Sequence, residues 1–585
     1  MNQIVSQRAQ PVKNSYSLRI FLLLLGVIAF VLIIMVRLFF LQISHHGYYE
    51  ILAASQHDAT RVIDPKRGSI YLTPISGKGE PLLAAATISK PLVYAVPKQI
   101  TDVSNVASKL APFLEMKSKD LQDKIIKGNQ NYTVLKKQLT EEIAQQIKDM
   151  DISGIRIENE TVRFYPEKTL ASQVLGFLGF KNDERVGQYG VEGQYEDKLA
   201  GFKGLMGIEK DPAGRWIAST SRDYQEARNG DDIYLTLDPA IQFEAQSVLA
   251  ATVKTHGADS GSIVIINPRD GAVLAMANYP EYDPNEYGKV TDASIYSNRA
   301  LAADYEPGSI FKPITMSAAL NENAVTPETT YEDTGAVKME EYTIKNSDNK
   351  ANGVQTMTQV LEKSLNTGIV FAEQKLGNDK FREYVKRFGF GKIVDFDLNG
   401  QAEGNITNVN KKSDIYHATA AFGQGITVTP LQMVTAFSAI ANEGKTITPY
   451  IIKKIVSPDG AVLETYPKPG KEVISSKTAA VLSAMLVNVV ENGHGKRAGV
   501  KGYFIAGKTG TAQVPYKDRP GYNPDLNIGS FIGFGPVDNP QFLMLVRIDN
   551  PRDVKFAEST AAPAFGEIAT FILNYLQVPS SRTDQ

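Results

Sequence analysis

The distribution of apolar and polar positions divides the chain before any chemistry is considered. From Ile20 to Val36 no residue carries a charge or a strongly polar group, and after Arg37 the apolar character resumes through Leu41. A run of that length spans a bilayer as a helix. Beyond it, short strand-like runs alternate with polar helical ones, such as 106–114 and 141–150, as far as about Arg228. At Asp232–Asp238 the segment D-I-Y-L-T-L-D alternates with the period of a strand and leads into a helical pattern over 239–251. Residues 262–267 and 272–277, joined by Pro268-Arg269-Asp270-Gly271, predict a hairpin. Helical patterns begin at Ser309, Thr358, Asp379 and Pro430. Strands return at 503–514, 528–535 and 542–548 before a last helix at 561–576. Strands at both ends with helices between predict an α+β arrangement, an antiparallel sheet against a helical block.

The expected organisation is a cytoplasmic segment 1–19, a transmembrane anchor 20–41, an elongated mixed α/β spacer 42–228, a second domain 229–577 and a frayed tail 578–585. Charge sets the orientation. Arg8, Lys13 and Arg19 precede the apolar run without an acid, whereas 42–60 holds Glu50 and Asp58 without Lys or Arg, so the N-terminus is expected in the cytoplasm and everything from Gln42 outside it. The run is long for a cleaved signal peptide, and the small-residue site Ala53-Ala54-Ser55 lies well past its end. Arg37 reads as a snorkelling residue at the outer boundary.

Composition narrows the chemistry. A net charge of −2 over 585 residues offers no general basic surface and argues against nucleic acid as a partner. The absence of cysteine excludes thiol nucleophiles, disulfides and Cys-rich metal sites, and it suits an oxidising compartment. His45, His46, His57, His256, His417 and His494 show no metal-ligand spacing, so neither a metal nor a cofactor is expected.

In Y-E-P-G-S-I-F-K-P-I-T, residues 305–315, Ser309 stands one helical turn before Lys312, at the start of an apolar helix that begins after Pro307-Gly308. Three residues apart on a helix, the Lys312 amine can reach the Ser309 hydroxyl. Pro313 fits only near the helix start, where its missing N–H costs nothing. Ser347 and Lys350 repeat the spacing, and Ser347-Asp348-Asn349 even spells the next motif, but the polar segment around them reads as a solvated loop. Two further pieces follow. Ser364-Leu365-Asn366 can present a hydroxyl and a carboxamide to one cleft. Lys508-Thr509-Gly510-Thr511 lies inside an alternating strand, where a glycine is unfavourable unless another backbone, such as an extended peptide, must approach. In the spacer, Arg67-Gly68 and 190–196 read as turn glycines with a buried carboxylate paired to an arginine.

Ser-x-x-Lys, Ser-x-Asn and Lys-Thr-Gly in this order form the signature of penicillin-binding proteins and class A β-lactamases. The chain resembles a class B penicillin-binding protein, a membrane-anchored peptidoglycan D,D-transpeptidase, over most of its length. Arg67-Gly68 and 190–196 look like that family's pedestal motifs, Asn298-Arg299-Ala300 and Glu306-Pro307-Gly308 like its lead-in to the nucleophile, and 421–425 with 429–432 like a further stretch typical of it. Asn366 is similar to the cell-division branch, where the elongation branch usually has aspartate.

The resemblance implies Ser309 as nucleophile, Lys312 as general base, Ser364 as proton relay to the leaving amine and Asn366 as holder of the donor peptide. It also implies an oxyanion hole from the backbone N–H groups of Ser309 and Thr511, with Lys508, Thr509 and Thr511 binding the substrate carboxylate and Gly510 keeping the strand open. Lysine can act as base only when neutral, and burial beside Lys508 pushes its proton off. Expected partners are donor and acceptor stem peptides, β-lactams, a polytopic glycan polymerase and division or elongation proteins. A D,D-carboxypeptidase, a β-lactam sensor and a β-lactamase are the alternatives; the last needs a water-activating carboxylate, for which Asp395-Phe396-Asp397-Leu398-Asn399 is the faint candidate.

Overall fold

The structure, a computed structural model, describes residues 16–39, 61–75, 77, 79–182, 184–206, 224–516 and 518–582. Arg8, Lys13, the His45-His46 pair, Ala53-Ala54-Ser55 and the end of the tail lie outside them. The chain divides into two compact units, Met1–Lys66 with Gly201–Asn229, and Arg67–Ala200 with Gly230–Gln585.

In the first unit α1 runs from Tyr16 to Phe39. Its described side chains are exposed, among them Leu23, Phe30, Ile33 and Met35. Among the described residues no helix is long and apolar enough to cross a membrane. The strand Arg61–Ile63 pairs antiparallel with Gly204–Met206, which pairs in turn with Tyr224–Gln225.

Among the described residues the second unit contains two large sheets, of seven and five strands, and three two-stranded ones. In the largest, β1 (Ile70–Leu72) pairs with β2 (Leu82–Ala95), whose outer half is flanked by β3 (Thr133–Lys136) and by β4 (Ile155–Phe164), from Ala86↔Phe164 to Ala95↔Ile155. β5 (Asp232–Leu235) joins β1 in parallel, Ile233 opposite Ile70, and carries Ile452–Val456 on its other side. The outer end of this sheet has its own apolar cluster, including Val93, Leu110, Leu121 and Ile147. Its inner end does not: Ile70, Leu175, Phe177 and Leu199 share one continuous core with Ile310, Phe311 and Leu431. The sequence marks a boundary near Asp232, yet the apolar packing runs straight across it.

A single buried acid ties this end together. Glu192, fully buried, accepts from Arg67 at 2.7 Å, from Arg163 Nε at 2.6 Å and from the Tyr165 hydroxyl at 3.1 Å, and Arg67 also reaches Glu196 at 2.6 Å. Burial alone would raise the Glu192 pKa, but the two guanidinium groups, Arg163 first, hold it below its ordinary value. The expected arginine–carboxylate pair is present. Arg163 and Tyr165, 29 and 27 positions away, complete it.

The second sheet is five-stranded, in the order β7–β6–β10–β9–β8, where β6 is Ser260–Ile266, β7 Val273–Tyr279, β8 Ala506–Pro515, β9 Tyr522–Gly535 and β10 Phe542–Asp549. The expected hairpin is β6–β7, with Ser262 opposite Asn278. α2 (Pro239–Thr255) starts where Asp238 accepts from the N–H groups of Ala240 and Ile241. It packs with the C-terminal helix 561–575 on one face of the sheet, through Ile241, Leu249, Phe565 and Ile572. The other face covers the helical block. That is the α+β arrangement read from the pattern, and it leaves β8 as an edge strand, paired among the described residues only with β9.

Candidate active site

The helical block approaches the sheet edge at Gly308. This residue has φ +56°, where a side chain is strained, and a Cβ on it would lie 3.3 Å from Ala512 Cβ and 3.4 Å from Thr511 O. Gly308–Phe311 forms a 3-10 turn, and α3 (Lys312–Asn321) continues from it with Pro313 in its first turn, as expected. The backbone N–H of Lys312 donates to Ser309 O. Every residue from 305 to 320 is buried except Ser309, which keeps partial exposure. A helix apolar on all sides is a core helix, and this one delivers a single hydroxyl to a cleft.

Lys312 rides on the same helix, so its amine is also fully buried. Among the described residues no carboxylate meets it. Nζ donates to Ser364 O at 2.5 Å and lies 3.3 Å from Ser364 Oγ. From the opposite wall Lys508 Nζ, equally buried, donates to Ser364 Oγ at 2.9 Å and to Thr509 O at 3.1 Å. One hydroxyl therefore stands between two ammonium groups. Burial, reinforced by the charge of Lys508, drives the Lys312 pKa well below the usual lysine value, and burial lowers that of Lys508 to about 7. Burial and the neighbouring charge together favour the neutral form of Lys312, the form that can accept a proton.

Ser364 occupies the joint between the helix Met357–Glu362 and α4 (Asn366–Leu376), at φ +57°. A non-glycine residue in the left-handed region costs about 1–3 kcal/mol and persists where its surroundings impose it. Asn366 opens α4; its backbone N–H donates to Asn346 Oδ1 at 3.0 Å and its Nδ2 to Lys345 O at 2.8 Å. Among the described residues no hydrogen bond engages its carboxamide oxygen. Thr509 is buried, Thr511 half-buried, and the Thr511 hydroxyl accepts from Ala557 N at 3.2 Å.

The structure brings Lys312, Ser364 and Lys508 into direct contact and sets the Ser309 turn against Thr511. It does not join Ser309 to Lys312: among the described residues no hydrogen bond engages the Ser309 hydroxyl, because the Lys312 amine is turned to Ser364. Gly510 also has a nearer cause than an incoming peptide. A Cβ there would lie 2.9 Å from Ile310 Cγ2 and 3.1 Å from Pro307 O, so the glycine admits the nucleophile turn itself. Ser347 and Lys350 are exposed and distant in role, as their polar setting implies. Asp395 pairs with the exposed Lys468, and Asp397 accepts from the N–H groups of Ile451 and Ile452, so neither carboxylate serves this cleft. Among the described residues no group of three or more His, Asp or Glu is placed to hold a metal ion.

A cavity of ≈ 680 Å³ opens where β8 ends, lined by Tyr305 and Glu306 of the lead-in, by Gln513–Pro515, and by Arg299 and Asp549. Glu306 there accepts from Gly425 N at 3.0 Å and from the Tyr522 hydroxyl at 3.0 Å, and burial raises its pKa.

Two family models match the chain: the penicillin-binding protein transpeptidase domain over residues 261–570 and the penicillin-binding protein dimerisation domain over 62–235. Stage V sporulation protein D of Bacillus subtilis is 34% identical, over 94% of this chain and 84% of its own. Peptidoglycan D,D-transpeptidase MrdA of Acinetobacter baumannii is 28% identical, over 95% and 88%. The crystal structure of penicillin-binding protein 3 from Mycobacterium tuberculosis complexed with aztreonam superposes with a TM-score of 0.69 at 27% identity, covering 89% of this chain and 98% of that one. The chain belongs to the class B penicillin-binding protein family.

Proposed function

We propose that this chain is a peptidoglycan D,D-transpeptidase. The observation that carries the reading is the pair of buried lysines, without a carboxylate partner among the described residues, converging on the Ser364 hydroxyl beside the one residue of 305–320 that reaches the cleft. Ser309 Oγ attacks the carbonyl carbon of a D-Ala-D-Ala peptide bond, and neutral Lys312 takes its proton. The developing oxyanion lies on the backbone N–H groups of Ser309 and Thr511, one such donor being worth about 3–4 kcal/mol of barrier. Ser364 passes a proton to the leaving nitrogen, the C–N bond breaks, and D-alanine departs. The amine of a second stem peptide then attacks the ester, forming the cross-link and restoring the serine.

Lys508, in its charged form, with Thr509 and Thr511, binds the terminal carboxylate, and the peptide extends along the free edge of β8 towards the cavity at Gln513–Pro515. Asn366 offers its oxygen to the donor's amide N–H. β-Lactams acylate the same serine.

In this reading 1–19 is cytoplasmic, 20–41 anchors the chain as a single span, 42–228 is an extracytoplasmic pedestal for contact with a polytopic glycan polymerase, and 229–577 is catalytic. Asn366 favours the division over the elongation branch. Resolution of the acyl-enzyme by water would make the protein a D,D-carboxypeptidase instead. The test is labelling with a fluorescent penicillin, wild type beside Ser309→Ala. A covalent band on wild type alone is expected; a band that survives the substitution removes Ser309 as nucleophile.

A further inference from the structure

α4 begins without a cap of its own. Its N-cap residue is Leu365, which has no side-chain acceptor, so the first N–H groups of the helix need an outside partner. Asn346 supplies it from 20 residues upstream. Its Oδ1 accepts from Asn366 N at 3.0 Å and Thr367 N at 3.2 Å. Its Nδ2 donates to both oxygens of Asp333, at 3.0 and 2.9 Å. Asp333 in turn accepts from the Thr367 hydroxyl at 2.7 Å and from Asn352 Nδ2 at 2.7 Å. Asp333 is 1% and Asn346 3% exposed. The preceding carbonyl, Lys345 O, fixes the Asn366 carboxamide. The residue just before the motif copy Ser347-Asp348-Asn349 is thus the one whose side chain caps α4.

We infer that Asn346, oriented by Asp333, is a positioning residue: it pins the start of α4 so that Ser364, in its left-handed backbone, keeps its hydroxyl between Lys312 and Lys508, and so that Asn366 presents its oxygen to the donor peptide. Without the clamp the strained joint relaxes and the hydroxyl leaves the line between the two amines. Asparagine is required because the position must accept from N–H groups on one side and donate to a carboxylate on the other. Aspartate provides only the first and faces Asp333 with a like charge. The titratable groups facing this position are Asp333 and, through Thr367, the Tyr331 hydroxyl, whose pKa burial raises to about 12.

The inference rests on the acyl-transfer reading above, and the experiment separates the two. Acylation rates with a fluorescent penicillin are measured for wild type, Asn346→Ala, Asn346→Asp and Ser347→Ala, each checked for folding by thermal unfolding at every pH used. Folded Asn346→Ala is expected to acylate about 10- to 100-fold more slowly, the scale set by small misplacements of a catalytic group, while Ser347→Ala stays within about twofold. The ratio of Asn346→Asp to wild type is expected to rise as the pH falls from about 8 to about 5 and a proton comes to bridge the two carboxylates. Unlabelled wild type would sink the acyl-transfer reading itself. Labelled wild type with a folded Asn346→Ala within twofold of it, or an Asn346→Asp ratio that is flat with pH, overturns the positioning role; if Asn346→Ala does not fold, the pH ratio decides alone.

Discussion

Two buried clusters of ionisable groups lie in the same unit, and they are built on opposite principles. Around Glu192, two guanidiniums and a phenol surround one carboxylate with short hydrogen bonds on each oxygen. Around Ser364, two amines face one hydroxyl, and among the described residues no acid pairs with them. The first arrangement satisfies its charges and so fixes a structure. The second leaves them unsatisfied, which favours the neutral form of Lys312. Burial is common to both; the complement of partners decides whether it yields rigidity or reactivity.

The largest expected effect comes from removing the reactive amine. Lys312→Met should lower the acylation rate by at least about 10³-fold, as loss of a base acting with its nucleophile does, without lowering the thermal midpoint, since it replaces an uncompensated buried amine with an apolar chain of similar length. A midpoint several degrees lower would mean that Lys312 belongs with the structural cluster after all. At Glu192 the outcome should invert. Glu192→Gln leaves Arg67 and Arg163 facing each other and should cost about 3–5 kcal/mol in denaturant unfolding, while the folded fraction acylates close to the wild-type rate.

The smallest effect is read from pH. Acylation should climb as Lys312 loses its proton and decline as pH passes about 7, where Lys508 of the empty site loses the charge that attracts the substrate carboxylate; a profile flat across about pH 5–9 would remove both roles. Stability moves the other way. An unfolded lysine holds its proton to about 10.4, so between about pH 7 and 10 the unfolded state binds more protons and stability rises with pH. Glu192 is silent in that window: its folded pKa lies below the ordinary carboxylate value, so its contribution is complete above that value and is lost only as the pH falls through the folded one.

The two clusters also differ in how far the sequence revealed them. Lys312 and Lys508 sit in an apolar helix and an alternating strand, so their burial follows from local pattern, and the five strands of the second sheet are those read over 262–277 and 503–548. Arg163 and Asn346 were invisible because each acts on a partner 20 or more positions away, through a side chain whose neighbours read as ordinary polar surface. The same limit hid the core shared by 67–200 with the helical block, since an alternating strand declares that one face is buried but not against what. The turn of the Lys312 amine away from Ser309 and towards Ser364 depends on the left-handed joint at Ser364, which no residue type there announces.

Three glycines frame Ser309. A Cβ on Gly423 would meet Gly308 O at 2.3 Å, one on Gly308 would press on Ala512, and one on Gly510 would meet Ile310 and Pro307. The serine is thus wedged between backbones with no slack on either side, and a single methyl at any of the three shifts it. A close-packed seat of this kind cannot absorb added volume, so an alanine at Gly423 must move the backbone of Gly308, next to Ser309.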